Sequence, residues 1–178
     1  MATKKWTLDK SHSEIQFKVK HLMITTVTGT FTDYDGVVET DGDDFSTAKI
    51  SFTAKTASVS TGHPDRDGHM KSADFFDVET YPELKFVSTK LEKKSAEEYV
   101  LYGDMTIKDI TKNIRLDVEF SGLVKDPWGN TKAGVILHGK VNRKDFGLKW
   151  NVITEAGGML VAEEVKIVCE VQLAEAAA

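Results

Sequence analysis

The chain has 178 residues, enough for one β-barrel or a globular unit of similar size, and we expect a single domain over residues 1–178. Apolar residues at 40% and charged residues at 29% are close to the averages of soluble globular chains, which favours neither disorder nor a membrane-embedded protein. The net charge of -5 argues against nucleic acid as the main partner, because binding to phosphates needs clustered Lys and Arg.

The N-terminal segment 1–9 is polar and lacks an apolar run, so it predicts neither a signal peptide nor a transmembrane helix. From the sequence as given we expect a cytoplasmic protein, or a periplasmic one if a leader was removed.

Alternation of apolar and polar residues with a period of two is the dominant pattern. It is clearest at 14–21, where Ile15, Phe17, Val19 and His21 alternate with polar residues, as in a half-buried strand. Segments around 48–55 and 113–120 repeat this pattern, and other segments are rich in β-branched or aromatic residues. These further candidate strands are 27–38, 84–91, 99–107, 132–141 and 165–173.

Turn-forming residues separate most of the eight predicted strands, notably at 41–43 and 126–130, so consecutive strands should be antiparallel neighbours. Closing such a sheet into a barrel removes its exposed edges. We therefore predict an all-β fold, a single eight-stranded antiparallel barrel, with a two-sheet sandwich as the alternative. The connection 57–82, between strands three and four, is too long to be structureless, and we expect a short helix within 66–75 capped by Asp65.

Motifs for common enzymatic chemistry are absent from the sequence. It has no glycine-rich phosphate loop, no Gly-x-Ser-x-Gly elbow and no pair of histidines at metal-binding spacing, so we expect no cofactor and no metal. The single cysteine, Cys169, excludes an intrachain disulfide and shares the parity of inward residues, which predicts a small core residue with a protected thiol.

The parity of the strands also bears on whether the barrel is hollow. Bulky Phe17, Phe52, Phe120 and Leu137 share the inward parity with several small residues, which leave volume that either a ligand or a strand bulge must explain. These small residues are Ala48, Ala54, Ala133, Gly103 and Gly139. A long hydrocarbon suits such an interior, since its burial contributes about 0.8 kcal/mol per methylene.

Polar residues near the predicted ends of the strands offer partners for a head group. His21 lies on the apolar parity of its strand, and Arg66 and His69 lie in the long connection, where Arg66 and Asp67 could equally pin the loop. For the segment 142–147, directly after a strand, we favour a structural role in which its Arg and Asp hold the strand end.

Several ordered segments together resemble the YceI-like family of polyisoprenoid-binding proteins over nearly the whole chain. They are Trp6-Thr7-Leu8-Asp9 with His12-Ser13, Lys20-His21, Gly29-Thr30-Phe31, Arg66-Asp67-Gly68-His69-Met70, Asp74-Phe75-Phe76-Asp77, Tyr81-Pro82-Glu83-Leu84-Lys85-Phe86, Gly103-Asp104-Met105-Thr106-Ile107 and Asn142-Arg143-Lys144-Asp145-Phe146-Gly147.

The resemblance implies an extended, lipocalin-like barrel that encloses a long amphiphile, such as a polyprenyl pyrophosphate or a quinone precursor, for transport, storage or sensing. Many members resemble exported periplasmic proteins, and members without a leader would be cytoplasmic.

From strand parity and charge placement we predict ligand-binding residues in two groups, and we expect a protein that is not an enzyme. The apolar tunnel is formed by Phe17, Val19, Phe31, Phe52, Phe86, Phe120 and Leu137, and the polar end by His21, Arg66, His69 and Arg143. Two alternatives stay open: a lipid-modifying enzyme that uses Ser13, His12 or His69, and a homodimeric interaction module with an incidental ligand.

Overall fold

The computed structural model describes residues 2–151 and 160–176, and these are mostly antiparallel β-structure. The strands are β1 Thr3–Leu8, β2 Glu14–His21, β3 Thr25–Phe31, β4 Tyr34–Asp41, β5 Asp44–Lys55, β6 Val59–Ser60, β7 Glu83–Lys93, β8 Glu98–Ile107, β9 Ile110–Lys125, β10 Thr131–Asn142 and β11 Val161–Glu175. One α-helix, α1 at Pro64–Lys71, and short 3-10 helices at Lys10–His12, Thr56–Ser58 and Arg143–Phe146 complete the described elements.

These strands form a closed barrel of eight positions, because three positions are each filled by two short strands. In the first of these positions, β1 and β2 both pair with β11. In the second, β4 pairs with β1 and β3 pairs with β2. In the third, β5 pairs with β4 and β6 pairs with β3. The wall continues through β7, β8, β9 and β10 and closes on β11. The predicted eight-stranded antiparallel barrel is therefore confirmed, and every neighbouring pair is antiparallel.

Two predictions about the strands were incomplete. The predicted strand 27–38 is interrupted between Phe31 and Tyr34, and β1 was not predicted at all. With one large apolar residue, Trp6, β1 shows no alternation of its own, and it is ordered by pairing with β4 and β11.

The helix in the long connection is present, but it begins earlier than predicted and has a different cap. It covers Pro64–Lys71, and the ring of His63 rather than Asp65 accepts a hydrogen bond from the Arg66 N–H at 3.3 Å. Pro64 at the first helical position accounts for the shift, because its fixed φ suits a helix start and disfavours helical backbone at His63. No helix within the described residues is long and apolar enough to cross a bilayer.

The two ends of the barrel differ, and we name each by a residue or element that lies there. At the Trp6 end, the fully buried Trp6 packs with Val38, Phe45, Ala133 and Leu173, and its indole N–H donates to Thr40 Oγ1 at 2.9 Å. The α1 end carries helix α1, the β2–β3 turn and the 3-10 helix Arg143–Phe146.

Candidate functional site

The interior of the barrel contains a cavity of about 280 Å³ that extends from the Trp6 end to the α1 end. Apolar side chains from nearly every strand line it, and among the described lining residues only Gln16 and Arg143 have strongly polar side chains. Ligand pockets range from about 300 to 1,000 Å³, so this cavity suits a slim apolar molecule.

All seven residues of the predicted apolar tunnel line this cavity. They are Phe17, Val19, Phe31, Phe52, Phe86, Phe120 and Leu137. They face inward because the cavity lies on one face of each strand, and strand side chains alternate between faces.

Small inward residues do not create this space in the way the sequence suggests. A Cβ on Gly103 would lie 2.2 Å from the Phe86 ring, and a Cβ on Gly139 would lie 2.4 Å from the Leu116 side chain. Side chains from neighbouring strands therefore occupy the volume beside these two glycines. Neither a ligand nor a strand bulge is needed to explain why these positions are small. Ala48, in contrast, does line the cavity.

Cys169 lies where its parity predicts, at the cavity wall with 8% of its surface exposed. Burial raises the pKa of its thiol to about 11, so the reactive thiolate is disfavoured at neutral pH. The thiol is a core group facing the cavity.

Arg143 is the one charged residue among the described lining residues, and it is 3% exposed. Its guanidinium donates to the carbonyl oxygens of Ala162 (2.8 Å), Leu148 (2.6 Å), Trp150 (2.9 Å) and Val161 (3.2 Å). Burial lowers the pKa of Arg143, while the charge of Glu163 acts in the opposite direction. The structural role predicted for this segment is thus present for its Arg, which ties the end of β10 to residues 148–150 and to the start of β11.

Within residues 2–151 and 160–176, no carboxylate forms an ion pair with the buried, positively charged Arg143. Its four acceptors are neutral carbonyls, and the Glu163 carboxylate forms an ion pair with Lys144 at 2.8 Å. A cation held by neutral dipoles favours an anion nearby. The α1 end of the cavity is therefore electrostatically suited to a negatively charged group.

The other three predicted polar residues lie outside the described cavity lining. Arg66 donates from Nε to Thr61 Oγ1 at 2.7 Å and from a terminal nitrogen to the Thr61 carbonyl at 2.9 Å. Asp67 accepts from the backbone N–H of the same Thr61 at 2.8 Å, so these two charged residues pin the loop through a shared partner. Half-buried His21 ends β2.

His69 is close to the cavity without lining it. Its Nε2 lies 2.8 Å from an oxygen of Asp74, and its ring meets Trp150 and Phe75 edge-on at centroid distances of 4.5 and 5.1 Å. Phe75 itself lines the cavity. His69 thus supports the aromatic cover of the α1 end.

The residues of the alternative enzyme hypothesis are not brought together. Ser13 Oγ accepts the Gln172 N–H at 3.0 Å, whereas exposed His12 contacts both Ser11 and Asp9 through the same ring nitrogen at 3.0 Å. A Ser-His-Asp triad needs its serine and aspartate on opposite ring nitrogens. His69 lies on α1 with Asp74 as its partner. Within the described residues, no group of His, Cys, Asp and Glu is arranged to hold a metal.

Comparison with known proteins agrees with this architecture. Residues 6–173 match the YceI-like domain, and the chain belongs to that family. A UPF0312 protein of Staphylococcus aureus (strain MSSA476) is 40% identical over 162 residues, which are 90% of this chain and 92% of that protein.

Solved structures share the fold over almost the whole length. The YCEI protein of Campylobacter jejuni has a TM-score of 0.78 at 35% identity, with 96% of this chain and 97% of that chain covered. BcnA of Burkholderia cenocepacia gives 0.76 at 21% identity, with 93% and 98% covered. A polyisoprenoid binding domain from Saccharophagus degradans gives 0.65 at 15% identity, with 96% and 98% covered.

Proposed function

We propose that this protein is a binding protein that encloses the chain of a long amphiphilic lipid, a polyisoprenoid or a quinone precursor, for transport, storage or sensing. The observation that carries the proposal is the apolar cavity of about 280 Å³ along the barrel. Each methylene moved from water into it contributes about 0.8 kcal/mol. A neighbour with the same fold is described as polyisoprenoid-binding, which supports the class of ligand.

In this proposal the tail contacts the apolar residues and the head group lies at the α1 end. The tail-contacting residues are Phe17, Val19, Phe31, Phe52, Phe86, Phe120 and Leu137. Arg143 attracts an anionic head through its charge, since its N–H groups are engaged by carbonyls. His21, Arg66 and His69 belong to the same end and are proposed to face the head as it enters.

The direct test is native mass spectrometry of the purified protein, followed by organic extraction. We expect a co-purifying long-chain lipid, and in its absence saturable binding of added polyprenyl phosphate. Polyprenol and a long-chain quinone, which have the tail without the anionic head, should bind more weakly. An empty protein that binds none of the three contradicts the proposal.

A pair of variants on β9 tests whether the cavity is the binding site. Val118 lines the cavity and Glu119, the next residue, is exposed. Val118→Trp should fill the cavity and reduce lipid binding at least about tenfold, because the tail loses buried contact area. Glu119→Trp adds the same side chain outside and should leave binding unchanged; equal losses in both variants argue against binding inside the barrel.

The enzyme hypothesis makes a different prediction from the binding hypothesis. If His69→Ala abolished conversion of a bound lipid and left its affinity intact, the protein would be a lipid-modifying enzyme. Analysis of the lipid by mass spectrometry before and after incubation provides this measurement.

A further inference from the structure

The turn between β2 and β3 has a backbone conformation that its residues disfavour. Leu22 and Met23 have φ of 54° and 58°, in the left-handed region, and the Ile24 N–H donates to the His21 carbonyl at 3.1 Å. A β-turn with positive φ at both central residues strongly prefers Asn-Gly, which adopts positive φ easily. Backbone preference therefore does not explain why Leu and Met occupy this turn.

The same residues form an exposed apolar cluster. Leu22, Met23 and Ile24 are 39%, 61% and 79% exposed, and they are consecutive at the end of a hairpin. We call these three residues the apolar tip. Single exposed apolar side chains are ordinary, whereas a contiguous cluster at a protruding point is typical of an interaction site.

Lysines line the outer wall behind the apolar tip. Lys166 on β11 lies directly opposite Lys18 on β2 and Lys140 on β10, so three lysines form one row across adjacent strands. Lys20 is the next outward residue of β2 toward the tip. Like charges placed directly opposite each other destabilise a sheet. Although the net charge of the protein is -5, this row concentrates positive charge on the outer wall behind the tip.

Few carboxylates neutralise these lysines. Lys140 is 3.6 Å from Glu164, and Glu163 is engaged by Lys144, whereas Lys18, Lys20 and Lys166 have no ion pair within the described residues. The excess charge behind the tip is therefore positive and exposed to solvent.

We propose that the apolar tip and the lysine row dock the protein on an anionic phospholipid bilayer. Apolar side chains insert at the boundary between head groups and acyl chains, and lysines beside them are attracted by acidic head groups. An acidic soluble partner would match the lysines but not the tip. A second copy joined tip to tip around a two-fold axis would bring two lysine rows together, which is repulsive.

Docking would also orient the cavity. The tip directly follows His21, the last residue of β2. Val19 on the same strand lines the cavity, and so does Val161, which pairs with His21. The α1 end thus faces the bilayer when the tip is inserted. This inference extends the proposed function, but it concerns the outer surface and holds whatever molecule occupies the cavity.

Vesicle flotation with the purified full chain tests the docking. We expect binding to phosphatidylcholine vesicles that contain about 30% phosphatidylglycerol, much weaker binding to pure phosphatidylcholine, and a decrease as salt rises. The double variant Leu22→Asn/Met23→Gly removes the tip and installs the residues that this turn prefers, so the hairpin should fold at least as well. It should lower binding about tenfold or more.

Two further variants separate the contributions. Trp128→Ser changes an 83% exposed apolar residue at the opposite end of the barrel and should leave vesicle binding unchanged. Lys18→Gln/Lys166→Gln should weaken binding to anionic vesicles and flatten its salt dependence, because fewer charges contribute.

Three results would overturn the docking proposal. They are the absence of wild-type binding to anionic vesicles, a loss in Trp128→Ser as large as in the tip variant, and a dimer in light scattering that becomes a monomer on replacing the tip. Lipid capture in solution does not require the tip, so the cavity-filling variant Val118→Trp and its control Glu119→Trp test the proposed function separately.

Discussion

The two ends of the barrel are closed in different ways. At the Trp6 end, the ring of Phe45 lies 5.0 Å from Trp6 and is stacked 4.6 Å from Phe120, and Phe120 meets Tyr99 edge-on at 6.1 Å. Among the residues that the structure describes, strand side chains make this seal. Opening it would expose large aromatic surfaces to water, which makes this end the fixed base of the cavity.

At the α1 end, connecting segments rather than strands cover the cavity. Helix α1 is joined to residue Thr61 by Arg66 and Asp67, and Arg143 binds carbonyls at 148–150 and at the start of β11. Hydrogen bonds of charged groups contribute about 1.5 to 3 kcal/mol each on balance, and water can take their place when the cover opens. We therefore propose that a ligand enters at the α1 end, where hydrogen-bonded connecting segments form the cover, and not at the Trp6 end, where aromatic side chains are packed.

The largest effect on stability is expected from a substitution at the Trp6 end. Trp6→Ala removes the largest fully buried side chain and the partner of Thr40, and it should lower the free energy of unfolding by about 4 kcal/mol. Urea denaturation measures this loss. Trp128→Ala, at an 83% exposed position, is the control and should change stability by less than about 0.5 kcal/mol. Similar losses in both variants would contradict the role of Trp6 as a core residue.

The corresponding change at the α1 end is Arg143→Met. It removes the guanidinium donor from four backbone carbonyls, although the Val161 carbonyl keeps its hydrogen bond from the Asn151 side-chain amide at 2.8 Å. The change should cost about 3 kcal/mol, with faster amide exchange concentrated near 143–151 and 160–162. Lys144→Met removes only an ion pair at the surface and should cost about 1 kcal/mol or less. Hydrogen exchange that rises equally at the Trp6 end would show that the two ends are not independent.

Between the ends, Gly103 tests how tightly the wall is packed. In Gly103→Ala the new methyl group collides with the Phe86 ring, which must move toward the cavity, and we expect a loss of about 2 kcal/mol and less bound lipid. Gly68→Ala, in α1 with open space around it, should instead stabilise the protein by up to about 1 kcal/mol. A neutral Gly103→Ala would mean that the ring is free to shift.

The smallest expected effect is on acid stability. Hydrogen bonds from Ser11, and then from His12, hold the pKa of Asp9 well below its ordinary value of 3.8. The folded protein therefore binds a proton at Asp9 less readily than the unfolded chain does. This contribution to stability is complete above the ordinary pKa and is lost as pH falls below it. Urea unfolding between about pH 5 and pH 3 should show a shallower decline for Asp9→Asn than for the wild type; identical slopes would contradict it.

Alternation by itself determined most of the barrel strands, although not β1, and the seven predicted residues of the cavity wall. Residues such as Phe17, Phe52 and Leu137 must share one face of their strands, because strand side chains point to opposite faces in turn. The length of the connection 57–82 likewise predicted a helix, although not the His63 cap. These features depend on near neighbours in sequence, and the sequence shows them directly.

Only the tertiary structure decided which groups meet across the sequence. Phe86 covers Gly103 because β7 pairs with β8, and the Arg143 guanidinium reaches the Ala162 carbonyl because β10 pairs with β11. The turn that carries the apolar tip shows this most clearly. Leu22 and Met23 carry no turn signal, and the register between β2 and β3 forces positive φ on them. Local preference could not predict that turn, since long-range pairing overrides it.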